Sequence, residues 1–287
     1  MADATIGVIG GSGLYKIDGL TGVDTRQINT PFGEPSDAIT VGTLAGQRVA
    51  FLPRHGRGHR IMPHELPARA NIYALKSLGV QHVISVSAVG SLREHLEPLH
   101  VVIPDQLFDR TKSRPSTFFG EGLAVHVSFE PPVCPTLSDA VYKAAQEAGA
   151  TVHKGGAYVC IEGPQFSTLA ESQVYRQWGM DIIGMTALPE AKLAREAEMS
   201  YAMIATVTDY DVWHETEEGV TAEMIIENLR RNVAMSKAIV KAAIPHVAEI
   251  GPSPWAGSLR SAIVTAPDRI PAQTRERVGL LVGKYLA

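Results

Sequence analysis

The sequence predicts an α/β fold in which helices cover a largely buried sheet. Short apolar runs typical of strands alternate with helical patterns along most of the chain. A glycine follows three of the helical patterns, at Gly79, Gly149 and Gly179, where a left-handed residue closes a helix. No linker composition appears before Gly251-Pro252-Ser253-Pro254. We therefore expect one α/β domain over residues 1–250 and a C-terminal extension over residues 251–287.

Nine apolar runs have the length and the residue types of strands. The predicted strands are Ile6–Ile9, Ile39–Val41, Arg48–Leu52, His82–Ser87, Val101–Ile103, Ala124–Val127, Tyr158–Ile161, Asp181–Ile183 and Tyr201–Val207. Because the crossover helices between such strands cover the faces of a sheet, we expect most of them to be buried.

Helical periodicity covers four shorter segments and one long one. The shorter predicted helices are Pro67–Leu78, Leu137–Ala148, Leu169–Gln177 and Pro189–Glu198. The long helix is predicted from Thr221, which has N-cap preference, to about Ala243, and Pro245 is expected to end it. A late amphipathic stretch from about Arg275 to Leu286 is either an appended helix or a subunit contact. The sequence leaves that choice open.

Composition excludes several classes of function. The 287 residues carry 26 Lys and Arg against 30 Asp and Glu, a formal net charge of −4, so no cationic excess points to nucleic acid as the main partner. The two cysteines, Cys134 and Cys160, are too few for a disulfide framework or a cysteine-based zinc cluster. No apolar run approaches the roughly 20 residues of a membrane span, and no secretory signal pattern is present. We expect a cytoplasmic protein that acts on a small molecule.

The first strand leads into a glycine-rich loop that can bind an anion. In Gly10-Gly11-Ser12-Gly13, small residues let backbone amides approach an anion, and the Ser12 hydroxyl adds a donor. The loop is not a P-loop, and it is not a dinucleotide fingerprint, because the third glycine position falls on Lys16. A tight structural turn is an equally good interpretation.

A second candidate is the cationic loop Arg54-His55-Gly56-Arg57-Gly58-His59-Arg60. Its two histidines have the spacing of metal ligands on a helix, but the glycines between them disfavour a helix and no nearby carboxylate completes a zinc set. Arginine recognises phosphate through its planar fork of donors, so an oxyanion site is the favoured interpretation. The alternative is a solvated basic loop.

Three later segments carry further candidate residues. Ser87 stands near the end of a strand, where ligands bind in α/β sheets, and can donate to an anion or a sugar hydroxyl. Phe166 follows a Gly-Pro turn and is either a stacking platform for a flat ligand or a core residue. Asp209 and Asp211 share a side if the preceding strand continues. Their repulsion would then raise the proton affinity of at least one carboxyl, which suits a general acid; a solvated turn is the alternative.

Taken together, these segments resemble the trimeric purine nucleoside phosphorylase family and, within it, the methylthioadenosine branch. The matching motifs occur in family order from roughly Ile6 to Pro245: Ile9-Gly10-Gly11-Ser12-Gly13-Leu14, Thr30-Pro31-Phe32-Gly33, Arg54-His55-Gly56, Ile61-Met62-Pro63, Ala88-Val89-Gly90-Ser91-Leu92, Glu162-Gly163-Pro164-Gln165-Phe166-Ser167, Gly184-Met185-Thr186, Pro189-Glu190 and Thr208-Asp209-Tyr210-Asp211. The resemblance implies one domain with a twisted central mixed sheet flanked by helices, and a homotrimer. It also implies reversible phosphorolysis of 5′-methylthioadenosine, with phosphate as co-substrate and no metal or organic cofactor.

The resemblance also implies roles for individual residues. It assigns phosphate binding to Ser12, Arg54, His55, Ser87, Ala88 and Thr186, in part through backbone amides. It assigns nucleoside binding to Phe166, Ser167, Met185, Asp209, Asp211 and Ala222, with His126 reaching the 5′ end of the ribose from a neighbouring subunit. Asp209 would deliver hydrogen to N7 of the leaving purine, and Asp211 would hold Asp209 and help to keep its proton.

Two positions separate the branches of the family. The branch that acts on 6-oxopurines has a glutamate where this chain has Ser167 and an asparagine where it has Asp209. The N6 amine of adenine is a donor that a carboxylate accepts, whereas O6 of hypoxanthine is an acceptor that suits an amide. We therefore expect a 6-aminopurine substrate. The alternatives are the same chemistry on methylthioinosine or inosine, a non-catalytic purine or phosphate sensor, and a dinucleotide-dependent oxidoreductase, which Lys16 disfavours.

Overall fold

A mixed β-sheet with helices on its faces forms the centre of the molecule. The computed structural model describes residues 2–11, 14, 16–214 and 222–286, with the backbone alone for 222–226. Within those residues, eleven strands join one sheet, which confirms the α/β class and the flanking helices. The strands are β1 (Ile6–Gly10), β2 (Thr21–Arg26), β3 (Ile39–Leu44), β4 (Gln47–Pro53), β5 (His82–Ser91), β6 (Val101–Ile103), β7 (Gln106–Arg110), β8 (Val152–Lys154), β9 (Ala157–Ile161), β10 (Ile182–Gly184) and β11 (Ser200–Asp209).

Parallel pairing at the centre of the sheet brings several strand ends together. Strands β4, β1, β5 and β11 run parallel, with Ile6 of β1 opposite both Val49 and His82. Antiparallel pairs, such as β3 with β4 and β10 with the end of β5, make the sheet mixed. Because β1, β4, β5 and β11 end at the same edge, the loops that follow them share one region of the surface.

Six helices have the described boundaries α1 (Ala68–Ser77), α2 (Pro135–Glu147), α3 (Leu169–Gln177), α4 (Ala187–Glu196), α5 (Ala222–Ile250) and α6 (Ala272–Val282). A capping box begins α3, where the Thr168 hydroxyl accepts from the Glu171 amide and the Glu171 carboxylate accepts from the Thr168 amide. The three glycines predicted to close helices all have positive φ, which confirms that interpretation.

Two predictions about elements are wrong. Ala124–Val127 forms no strand, because its neighbour is an irregular segment that gives only an isolated bridge from Val125 to Ile263. Pro245 does not end the long helix, which continues to Ile250. Proline disfavours a helix interior by about 3 kcal/mol, but the apolar face continues past it, and Val247 is fully buried in the core. The predicted N-cap, Thr221, lies outside the described residues.

The segment after Gly251 packs on the α/β domain of its own chain. Trp255, Leu259 and Val278 are buried in the same core as the central strands. The Glu198 carboxylate, in the loop between α4 and β11, accepts from the Leu259 amide at 3.0 Å and from the Tyr285 hydroxyl at 2.6 Å. Among the described residues, no helix has the length and apolar character needed to cross a membrane.

Candidate active site

A cavity of about 440 Å³ lies at the edge where the parallel strands end, and its volume is typical of a site for a small molecule. Residues of the loops after β1, β4, β9 and β10 line it, together with the ends of β5 and β11 and one face of α5. Ten of the thirteen residues singled out from the sequence are in its wall: Arg54, His55, Ser87, Ala88, Phe166, Ser167, Met185, Thr186, Asp209 and Asp211.

The other three candidates are not part of this described wall. Ser12 lies outside the described residues. Ala222 is the first residue of α5, and its side chain lies outside the description. His126 is exposed and away from the cavity of its own chain, where its amide bonds to the Ala262 carbonyl. Its assignment to a neighbouring subunit's site stays a prediction.

Arg54 is held by a buried carboxylate that sequence reasoning did not assign to the site. Its guanidinium donates to both carboxylate oxygens of Glu190, at 2.9 and 3.0 Å, to the Ser85 hydroxyl at 2.7 Å and to the Val86 carbonyl at 2.8 Å. Burial disfavours the charge, but Glu190 outweighs it and raises the pKa of Arg54. At most one of the five N–H groups is left for a ligand, so the fork faces Glu190 and not an incoming anion.

Two hydroxyl groups lie close together at one end of the cavity, which we call its hydroxyl side. The Oγ of Ser87 on β5 and the Oγ1 of Thr186 lie 3.0 Å apart, and both residues are buried. Thr186 immediately precedes α4, in which Leu188 is extended, with φ of −120° and ψ of 136°. Because a hydroxyl can rotate its hydrogen, both groups can donate to one anion beside Arg54.

His55 is neutral near pH 7 in this arrangement. Burial, followed by the charge of Arg54, lowers the pKa of His55 to about 4. Its Nδ1 lies 2.8 Å from the Ile61 carbonyl, which can only accept, so Nδ1 carries the proton and Nε2 is an acceptor. An acceptor at Nε2 matches the O–H of a hydrogen phosphate. The ring stacks on His59, which also lines the cavity and to which the resemblance gave no role.

The two carboxylates come together through a turn and not through strand alternation. The ladder between β11 and β5 is irregular between Val207 and Asp209, and Asp211 lies beyond the strand in the left-handed conformation, with φ of 55°. Asp209 accepts from the Asp211 amide at 2.8 Å and from the Thr208 hydroxyl at 2.7 Å. Burial first, and the charge of Asp209 further, raise the pKa of Asp211. The expected gain in proton affinity is therefore found at Asp211.

The loop after β9 supplies the most exposed aromatic ring of the cavity. Phe166 is 82% exposed, so its alternative interpretation as a core residue is wrong. The neighbouring Ser167 is buried, and its Oγ has no hydrogen-bond partner among the described residues. The loop packs closely on Met185, since a Cβ on Gly163 would lie 2.6 Å from the Met185 sulfur. Gly163 also has positive φ, so the close approach and the turn both require glycine.

Three residues of β5 separate the hydroxyl side of the cavity from the carboxylate side. Ser87 belongs to the hydroxyl side, and a Cβ on Gly90 would lie 3.2 Å from Oδ1 of Asp209. Three residues of extended strand span about 10 Å, which leaves room for a sugar between an anion and a base. The arrangement therefore matches a ligand that carries a phosphate at one end and a flat base at the other.

Sequence reasoning gave no role to Glu190 or to two asparagines on α5. The Asn232 amide donates to the Val207 carbonyl at 2.8 Å, and the Asn228 amide donates to the Thr208 carbonyl at 3.1 Å. These bonds hold the end of β11 on which Asp209 stands. The four-residue spacing of the asparagines places both on one helix face, which is a signal that the sequence does contain.

The described residues offer no obvious place for a resident metal ion. Across the described side chains, in ranges 2–11, 16–214 and 227–286, no three His, Cys, Asp or Glu side chains are grouped so that they could hold one. Both cysteines are buried thiols, and burial raises the pKa of Cys160 to about 12, so it is not a reactive thiolate.

Comparisons with known proteins agree with this geometry. The family model described as the phosphorylase superfamily matches residues 5–245. The chain is 59% identical to the S-methyl-5′-thioadenosine phosphorylase of Chloroflexus aurantiacus, over 99% of both chains. It is 54% identical to the Geobacter sulfurreducens protein of the same name, over 99% of this chain and 100% of that one.

Solved structures with a similar fold are also methylthioadenosine phosphorylases. A methylthioadenosine phosphorylase sourced from an antarctic soil metagenomic library superimposes with a TM-score of 0.94 and 51% identity, covering 98% of this chain and 99% of that one. A methylthioadenosine phosphorylase from Schistosoma mansoni in complex with adenine has a TM-score of 0.82 and 36% identity, covering 91% of this chain and 99% of the other.

Proposed function

Because the chain belongs to the phosphorylase superfamily, we propose that its cavity is the active site of a 5′-methylthioadenosine phosphorylase. The reaction is the reversible phosphorolysis of 5′-methylthioadenosine to adenine and 5-methylthioribose 1-phosphate. The observation that carries the proposal is that one cavity holds the paired hydroxyls of Ser87 and Thr186 and, about 10 Å further along, the carboxyls of Asp209 and Asp211.

In the proposed mechanism, the bond between C1′ and N9 lengthens first. Positive charge then develops on the ribose and negative charge on the purine. Phosphate, held by the hydroxyls of Ser87 and Thr186 and by the field of Arg54, is positioned to form the new bond to C1′ and opposes the cationic charge. Asp209 gives hydrogen to N7 of the leaving base. The carboxyls of Asp209 and Asp211 hold that proton as a pair, in which burial raises the pKa of Asp211.

The choice of adenine rests on Asp209 and Ser167. A carboxylate accepts from the N6 amine, and the partnerless Oγ of Ser167 is available to a ring nitrogen of the base. Phe166 packs near the purine, Met185 lies along the ribose, and Ala222 helps to line the pocket for the 5′ substituent. Ser12, His55 and Ala88 complete the phosphate site in this proposal.

Further parts of the proposal come from the family resemblance. The enzyme is a homotrimer in which His126 of each subunit approaches the 5′ end of a neighbour's ribose. It works in the cytoplasm. Inorganic phosphate is its second substrate, and it uses no metal or organic cofactor. Residues 1–250 form its catalytic domain, and residues 251–287 form the extension that packs on it.

The test is adenine release from 5′-methylthioadenosine with and without phosphate, with adenosine and methylthioinosine in parallel. We expect phosphate-dependent release that is fastest from methylthioadenosine. Release without phosphate would make the protein a hydrolase, and a preference for methylthioinosine would contradict the role of Asp209. Ligand binding without turnover would indicate a sensor.

A further inference from the structure

Arg114 joins two segments of the active site without lining the cavity itself. Its Nη1 donates to the Met185 carbonyl at 2.6 Å and to the Leu188 carbonyl at 2.8 Å. Its Nη2 donates to the carbonyls of Ile161, at 3.3 Å, and Glu162. The side chain is only 4% exposed, and its Nε also lies 3.5 Å from a carboxylate oxygen of Glu162, so four carbonyls and one carboxylate surround the guanidinium.

The four carbonyls belong to the two segments that would hold the base and the sugar phosphate. Ile161 and Glu162 lead into the loop with Phe166 and Ser167, and Met185 and Leu188 flank Thr186. The strands before these segments end at Ile161 and Gly184, so the sheet does not align the segments beyond those points. A buried carbonyl without a partner is destabilising, and one planar fork of donors bonds to all four.

We propose that Arg114 is a positioning residue for phosphorolysis. It fixes the segment that binds the purine against the segment that binds ribose and phosphate, so that both substrates meet a preformed site. The direct packing of Gly163 on Met185 means that a shift of one segment displaces the other. Replacing Arg114 therefore weakens the binding of nucleoside and phosphate together. This inference rests on the proposed function.

Arg195 provides a matched control because it makes the same kind of contact elsewhere. Its guanidinium is buried and donates to the Ser128 carbonyl at 3.0 Å and to the Pro131 carbonyl. Like Arg114, it has an Nε without a hydrogen-bond partner among the described residues. Neither Arg195 nor the carbonyls it holds line the cavity. Lysine in either position keeps the charge and loses the planar fork.

The experiment compares Arg114→Lys, Arg195→Lys and the unchanged enzyme well below all three melting temperatures. We expect Arg114→Lys to raise KM for methylthioadenosine and for phosphate together, each by about tenfold, with a smaller change in kcat. Arg195→Lys should keep both KM values within about twofold. Both variants should lower the melting temperature, because each leaves buried carbonyls with fewer donors.

Two results would overturn the proposal: kinetic constants of Arg114→Lys that match those of Arg195→Lys, or a change in only one of the two KM values. If Arg114→Lys does not fold, Arg114→Gln keeps an amide donor and is judged by the same criteria. If the unchanged protein has no phosphorolytic activity, the proposed function fails. Arg114 is then judged by calorimetric titration of each variant with adenine and with inorganic phosphate, and equal affinities in both variants would reject its role.

Discussion

The proposed phosphate side and the proposed purine side of the cavity differ in how many hydrogen bonds their polar groups make within the chain. On the phosphate side, Arg54 donates hydrogen bonds to Glu190 and to backbone or hydroxyl oxygens, and it is almost fully buried. On the purine side, Ser167 Oγ and Asp211 Oδ2 are buried without hydrogen-bond partners among the described residues. Changes on the phosphate side should therefore affect folding and binding together, whereas changes on the purine side should affect chemistry or specificity alone.

The largest effect is expected on the purine side, from Asp209→Asn. Loss of a general acid reduces the rate by roughly 10²–10⁴-fold, or about 3–5 kcal/mol in activation free energy. The melting temperature should change little, because an asparagine oxygen can still accept from the Asp211 amide, and the Thr208 hydroxyl also lies 3.1 Å from the Val89 carbonyl. Steady-state kinetics and a thermal melt test this separation. An unchanged kcat would remove Asp209 from the mechanism.

On the phosphate side, Glu190→Gln should destabilise the fold itself. It leaves the Arg54 charge buried without a counter-charge, and breaking a buried ion pair in this way costs about 3–5 kcal/mol. Urea denaturation measures the loss. The ion pair of Asp139 with Lys154 is exposed, so Asp139→Asn serves as the control with little expected change.

Phosphate should also stabilise Glu190→Gln more than it stabilises the unchanged protein, because the anion supplies a new partner for Arg54. The comparison is the rise in melting temperature at one phosphate concentration. An equal rise in both proteins, or equal stability without phosphate, would break the link between folding and anion binding on this side.

A smaller effect on the same side should appear as pH falls. Since the pKa of His55 is lowered to about 4 from an ordinary 6.5, the unfolded chain binds the proton more readily between those values. The contribution of neutral His55 to stability is complete above pH 6.5 and is lost as pH falls towards 4, reaching about 2 kcal/mol of loss by pH 5. Urea denaturation at pH 7 and pH 5 should show a smaller decline for His55→Gln.

That experiment compares how much unfolding free energy each of the two proteins loses between pH 7 and pH 5. The pH dependence of either protein alone does not isolate His55. Burial raises the pKa of Glu196 to about 7. The contribution of the protonated Glu196 carboxyl to the free energy of unfolding is therefore complete below pH 4.5 and is lost as pH rises through 7. Glu196 therefore opposes His55 over the same range, and it is present in both proteins. Parallel declines for His55→Gln and the unchanged protein would contradict the lowered pKa of His55.

The fold was predictable wherever burial marks an element. The apolar runs of β1, β5 and β11 are buried almost throughout, and the sequence shows each of them. Strand β2 is exposed along its whole length, so it carries no hydrophobic signal, and its pairing with β3 is a tertiary effect. Strands β7 and β8 have no fully buried residue, and the sequence analysis misses both because their hydrophobic signal is weak.

The site was predictable as a set of residue types but not as a set of contacts. The spacing of Asp209 and Asp211 indicates a carboxylate pair, yet the left-handed turn at Asp211 that joins them is not visible in the sequence. The partnership of Arg54 with Glu190 spans 136 positions, and only the folded chain brings them together. A sequence motif can therefore identify the arginine of a candidate anion site. It does not show that a carboxylate elsewhere in the chain already accepts hydrogen bonds from that guanidinium.

The smallest expected effect belongs to Ser167→Ala, and it is the most direct test of the difference between the two sides. The hydroxyl is buried without a partner among the described residues, so its removal should leave the unfolding free energy unchanged or slightly higher. If the Oγ bonds to the purine, KM for methylthioadenosine should rise about fivefold, equivalent to about 1 kcal/mol, while KM for phosphate stays constant. Urea denaturation and steady-state kinetics with each substrate varied in turn measure both quantities. A clear loss of stability, or an equal rise in both KM values, would show that Ser167 supports the fold, because a group reserved for the base can change only the binding of the base.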